Sequence, residues 1–278
     1  MKKFVNLKVS LVLLGSILIF ASPATALAAK PASRSGGGSH GGGGTSTTSI
    51  VTGNDVSWPQ CSKSLPKGQL FGIVGVNGGL ANTTNPCFAT ELAWAEASVG
   101  GAGQGKAALY VNTANPGNLG VDDWPTTGTL DQYGTCAGGD DQACAYQYGW
   151  NMAELDAQTR IGSNNPASFK WWLDVETDNS WETGSTGIAN NVADLEGMTD
   201  YFHGVGAKVG LYSTALQWNQ IAGTVSTASS LYGLDSWLPG SSNLTGAENA
   251  CALPGLTGGQ TTVTQYVAKR VDYDYSCV

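Results

Sequence analysis

The chain has 278 residues, of which 12% are charged, with 13 Lys and Arg against 21 Asp and Glu. A surface this acidic, with no basic stripe, repels phosphate backbones and excludes nucleic acid as a partner. The length suits one large domain with a leader.

Lys2, Lys3 and Lys8 precede an apolar run, 9–21, and small residues ending in Ala26-Leu27-Ala28. This is the layout of a secretory signal peptide over 1–28, cleaved after Ala28. The run is too short to cross a bilayer comfortably, so no stable membrane insertion is expected after cleavage. Residues 29–49, rich in Gly, Ser and Thr, offer almost nothing to bury and read as a flexible linker, with His40 solvated within it. A folded domain is expected over 50–278, monomeric, secreted or cell-wall associated. The exported chain carries ten Lys and Arg against 21 acids, a net charge of −11.

Gly53-Asn54-Asp55-Val56-Ser57-Trp58-Pro59-Gln60 opens this domain as a strand with a Pro-containing turn after it. A buried strand over 70–77 and a helix over 86–99 make the first βα unit. A strand at 107–112 leads into a Gly- and Asp-rich loop, 113–143, and a helix over 144–161. The strand 169–177 follows, then a helix over 188–205 whose apolar stripe is Val192, Leu195, Met198, Tyr201, Phe202 and Val205. His203 reads as a surface or helix-end residue. Strands at 208–213, around Trp237, at 261–268 and at 271–275 close the domain. Strands alternating with helices, about eight in all, predict an α/β fold, a modified TIM-type (β/α) barrel with a largely parallel sheet and fewer helices in the last third.

Six cysteines, Cys61, Cys87, Cys136, Cys144, Cys251 and Cys277, all fall in the folded part, and an even number in an exported chain points to disulfide stapling. The simplest pairing is sequential: Cys136 and Cys144 bracket a tight turn, and Cys251 and Cys277 can tie the last strands. Each closure is worth roughly 2.5–3.5 kcal/mol. No Cys-x-x-Cys or paired His suggests zinc, and no cofactor or metal is expected.

The chemistry concentrates in Trp172-Leu173-Asp174-Val175-Glu176. Side chains alternate along a strand, so Asp174 and Glu176 share one face with Trp172, while Leu173 and Val175 take the other. In a (β/α) barrel the strand C-termini converge, which would bring Asp55 and Asp272 beside this pair. Glycoside cleavage needs a proton donor and negative charge for an oxocarbenium-like centre. A second carboxylate about 6–7 Å away supplies roughly 2–3 kcal/mol of repulsion at an effective dielectric near 20. That lifts a carboxyl pKa by up to about two units in a sheltered pocket. Trp58 and Trp172 could provide shelter or a flat face for a sugar.

Together the Gly53–Gln60 opening, Trp172 to Glu176, Gly210-Leu211-Tyr212-Ser213, Gln265-Tyr266 and Val271-Asp272 resemble glycoside hydrolase family 25, the lysozymes or muramidases, in order and approximate spacing. The resemblance implies Glu176 as general acid and Asp174 orienting the substrate N-acetyl group or stabilising the intermediate. Asp55 and Asp272 would complete the acidic site, and Tyr212 and Gln265 would contact or support the sugar. It implies a secreted enzyme that needs no metal and cleaves peptidoglycan after N-acetylmuramic acid. Two segments depart from the family: Tyr110-Val111-Asn112-Thr113, which places Asn112 among the candidate sugar contacts, and Trp237-Leu238-Pro239-Gly240. The long loop 113–143 is extra. The alternatives are a non-catalytic carbohydrate-binding or cell-surface protein on the same barrel, and a hydrolase of another N-acetylated polysaccharide such as chitin.

Overall fold

A computed structural model describes residues 51–130 and 132–278. The expected signal peptide and the whole of the linker, including His40, lie outside the described residues.

Eight strands form a closed barrel in sequence order: β1 (Thr52–Val56), β2 (Gly72–Gly75), β3 (Ala107–Asn112), β4 (Lys170–Asp174), β5 (Lys208–Tyr212), β6 (Asp235–Ser241), β7 (Thr261–Ala268) and β8 (Val271–Ser276). Among the described residues the five α-helices are α1 (Phe88–Glu96), α2 (Gln142–Leu155), α3 (Gly184–Gly204), α4 (Ala215–Ile221) and α5 (Leu244–Ala250). β1 to β7 pair in parallel, whereas β8 runs antiparallel to both β7 and β1. The reversal has a local cause: two residues, Lys269 and Arg270, separate β7 from β8, and so short a connection can only make a hairpin.

Strand parity sorts the core. Trp171, Leu173 and Val175 face the helices, and Trp171 stacks on Phe202 of α3 with ring centroids 4.4 Å apart. Leu195, Met198 and Tyr201 of the expected apolar stripe are buried in the same layer. Ile73, Ala108, Trp172, Trp237 and Val263 fill the barrel interior. Trp172 needs Gly210 beside it, because a Cβ there would stand 2.3 Å from the indole ring. Beneath, Lys170 lies 4.2 Å over the Trp172 ring and bridges Asp235 at 2.6 Å.

α4 and α5 escape the periodic reading because seven residues are too few to display a stripe; α4 buries only Trp218 and Ile221, and α5 only Ala247. Their signal lies in the caps instead. Thr214 accepts from the Gln217 N–H and Asn243 from the Gly246 N–H. The expected helix over 144–161 is α2 continued by a π-helical turn, Asp156–Arg160, within which Arg160 and Asp156 form a buried ion pair at 2.7 Å.

The cysteines pair sequentially, Cys61–Cys87, Cys136–Cys144 and Cys251–Cys277. The first ties the segment after β1 to the start of α1, the second pins the long loop to α2, and the third joins the end of α5 to the segment after β8. Among the described residues no helix is long and apolar enough to cross a membrane.

Candidate active site

The C-terminal ends of the parallel strands surround a cavity of about 190 Å³ lined by Asp55, Tyr110, Asp174, Glu176, Tyr212, Trp237, Gln265 and Asp272. All four candidate carboxylates therefore meet in one place. Asp174 ends β4, 7% exposed, and Glu176 stands half-buried just beyond the strand. Asp55 comes from β1. Asp272 reaches this end because β8 is reversed: its second residue lies level with Val267, near the end of β7.

Backbone bonds hold the β4 terminus. Thr113 Oγ1 donates to the Asp174 carbonyl and Ser213 Oγ to that of Val175, each at 2.7 Å, and Trp181 Nε1 donates to the Glu176 carbonyl at 2.8 Å. The loops after β3 and β5, together with the loop that carries Glu176 itself, thus fix the acid pair. Gln265 Nε2 donates to Asp55 Oδ2 at 2.8 Å and its Oε1 accepts from the Tyr212 hydroxyl at 3.1 Å, so the side chains named from the sequence form one chain of bonds.

Burial dominates the electrostatics. It pushes Asp55 up to about 7, the Asp272 charge adding to the effect and the Gln265 bond opposing it. Asp174 is raised well above the usual carboxylate range by burial, then by Glu176 and Asp55. Glu176 is raised by burial, pulled back by the Gln217 hydrogen bond and pushed up by Asp178. Burial also raises Asp272, and Asp274, sealed beneath the cavity, lies well above its ordinary value. Several carboxyls crowded into one low-dielectric pocket cannot all ionise, so protons are retained there near neutrality.

The aromatic residues need correction. Trp172 was expected to meet sugar, yet it is 0% exposed, inside the barrel and one layer below the cavity. Trp237 takes the place at the floor, with Tyr212 at 4.4 Å, Trp172 at 5.9 Å and Tyr110 at 6.3 Å between ring centroids. Neither Tyr110 nor Trp237 was named as a site residue. Parity could have found both: Tyr110 pairs with inward Trp172, and Trp237 with Tyr212. Trp58 lies outside the cavity lining, 47% exposed, on the turn after β1. Asn112 also lies outside the lining; its Nδ2 donates to Asn77 Oδ1 at 2.8 Å and locks the ends of β2 and β3 together.

Among the described residues the one group of three possible metal donors is Cys61, Cys87 and Glu91. Both sulfurs are committed to a disulfide, so the group offers no thiolates.

No protein-family model matches the sequence, and no curated protein matches it. Solved structures are similar in fold. A muramidase from Trichobolus zukalii shares 15% identity at a TM-score of 0.48, over 82% of this chain and 93% of that one. A muramidase from Acremonium alcalophilum shares 14% at 0.49, over 81% and 93%. A family GH25 lysozyme from Aspergillus fumigatus shares 13% at 0.48, over 81% and 93%. What the cavity does is read from its own residues.

Proposed function

We propose that the protein is a secreted, monomeric glycoside hydrolase that cleaves peptidoglycan glycan strands with Glu176 as general acid. The observation that carries this reading is the meeting of Asp55, Asp174, Glu176 and Asp272 in one cavity, floored by Trp237 and walled by Tyr110 and Tyr212. A proton donor must reach the leaving oxygen, and half-buried Glu176, beyond the strand end, is better placed for this than sealed Asp174. Its raised pKa keeps a proton available.

Asp174 manages charge at the reacting sugar. Its Oδ1 is buried without a hydrogen-bond partner among the described residues. Asp174 still lines the cavity, 7% exposed, and its other oxygen accepts the amide N–H of a sugar N-acetyl group there. Asp55, fixed by Gln265, and Asp272 add negative potential for an oxocarbenium-like transition state. Trp58, on the exposed turn, offers a stacking face outside the cavity.

The test is turbidity loss and reducing-sugar release from purified cell walls, with mass analysis of the products. Wild type releases disaccharide-repeat fragments, and Glu176→Gln releases none above background. Release of no reducing sugar by wild type, together with binding to the same glycan, would favour the non-catalytic reading.

A further inference from the structure

A second recess of about 500 Å³ adjoins the cavity and shares Asp55 and Asp272 with it. It follows the outer wall of β8 and β1, reaching Thr52, where α5 contributes only Leu244 to the lining: β7 and β8 are joined by two residues, and among the described residues between β1 and β2 there is only the one-turn 3-10 helix Trp58–Gln60. Much of the wall is apolar. Tyr266 and Tyr273 stack there with ring centroids 5.1 Å apart and planes 12° from parallel, beside Leu244 and Val271.

Three cations, Lys63, Lys67 and Arg270, line this groove. Residues 51–278 contain only eight Lys and Arg against 21 Asp and Glu, so three of the eight on one groove is a marked concentration. Arg160 and Lys170 are held in ion pairs with Asp156 and Asp235; the three groove cations make no ion pair among the described residues. The turn that presents Arg270 is itself unusual. Lys269 and Arg270 both take positive φ, 53° and 66°, at hairpin positions that ordinarily favour Asn and Gly. Holding two non-glycine residues there costs conformational energy, and such strain concentrates at ligand-binding positions.

We propose that this groove receives a short acidic peptide branching from the glycan strand that occupies the cavity. The peptide's carboxylates lie against Lys63, Lys67 and Arg270 and its aliphatic parts against Tyr266 and Tyr273. The inference rests on the proposed function, because a substituent on a sugar chain held in the cavity can pass Asp55 and Asp272, which line both recesses, into the groove. The apolar wall favours a peptide over a compact phosphate, which would leave the stacked rings uncovered. The three cations also resolve an electrostatic conflict: a carboxylate approaching a cavity walled by acids is repelled unless positive charge lies beside its path.

The test compares wild type with Lys63→Gln/Lys67→Gln/Arg270→Gln on peptidoglycan carrying its peptides and on the same glycan stripped of them by an amidase. Far-ultraviolet circular dichroism and melting curves confirm that the variant folds. Wild type is expected to show the lower KM on the peptide-bearing substrate, and the variant to raise that KM about tenfold while matching wild type on stripped glycan. Equal KM values of wild type on the two substrates, or an equal loss by the variant on both, would overturn the proposal. A titration without turnover separates this from the proposed function: a synthetic tetrapeptide with two carboxylates is added to Glu176→Gln, with a glycerol phosphate polymer as competitor. Saturable peptide binding lost on neutralising the three cations is the expected result, whether or not cleavage is seen. Binding of the phosphate polymer alone would overturn the peptide assignment, and absence of cleavage on both glycans would overturn the hydrolase reading instead.

Discussion

Gln265 of β7 reaches Asp55 of β1 at 2.8 Å across the intervening strand β8. The bond is possible because both side chains point into the barrel, and it closes the cavity over buried Asp274, whose Cα partners Gln265 on one side and Gly53 on the other. Gln265→Leu removes the first of the bonds that lower the Asp55 pKa and leaves burial and Asp272 less opposed. The Asp55 midpoint, followed by NMR of carboxyl-labelled protein, should move upward from about 7. A midpoint that falls or stays put would show that Gln265 does not hold the ionised carboxylate.

Glu176→Gln should lower turnover by about 10²–10⁴-fold with little change in melting temperature. The side chain is half-buried and its carboxyl makes one long hydrogen bond, 3.5 Å to Gln217. Steady-state kinetics on cell walls beside a thermal melt separate loss of chemistry from loss of fold. Equal turnover in the variant would remove Glu176 from the acid role.

Stability should fall as pH rises. Asp55 titrates near 7 folded and near 3.8 unfolded, so between those values the folded state binds the extra proton. Unfolding then releases protons, and ΔG of unfolding decreases with pH across this window. Asp174 and Asp274 are shifted in the same direction. Denaturant unfolding at pH 5 and pH 8 should differ by on the order of 2 kcal/mol in favour of pH 5. Asp55→Asn should flatten part of the slope, and an unchanged slope would contradict the raised pKa.

Gly210→Ala places a methyl group 2.3 Å from the Trp172 ring. Trp172 has no room to yield between Lys170 and Trp237, so the variant should lose about 1–3 kcal/mol. A chemical denaturation midpoint equal to that of wild type would mean the interior repacks freely.

Removing the Cys251–Cys277 bridge as a double Ser variant should cost about 3.5 kcal/mol, and removing Cys136–Cys144, which closes a shorter loop, about 2.5 kcal/mol. Urea titrations of the two variants check the ordering. The reverse order would show that native contacts, not loop length, set the contribution.

The parity of Trp172, Asp174 and Glu176 was legible in the sequence because a strand alternates regardless of what surrounds it. The convergence of Asp55 with that pair followed from the barrel, whereas that of Asp272, the second residue of β8, depended on the reversal of that strand. The depth of each side chain was not legible. Trp172 and Trp237 are both inward-facing indoles, and only the stagger between β4 and β6 makes one a floor and the other filler beneath it. Trp58 and Asn112 show the same limit: each follows or ends a strand near the cavity, yet one remains on an exposed turn and the other is taken up by Asn77. The reversal of β8 could have been read from the two-residue gap at Lys269-Arg270, had chain direction been weighed beside strand count.

That reversal has a topological consequence. Thr52, starting β1, pairs with Tyr275 near the end of β8, so the two ends of the barrel are neighbours at the rim away from the cavity. A short peptide joining them, with new termini cut in the exposed loop before α2, would give a circular permutant whose eight strands keep every partner. The new join would lie at the rim away from the cavity, and the order in which the strands are synthesised would change while every strand keeps its neighbours.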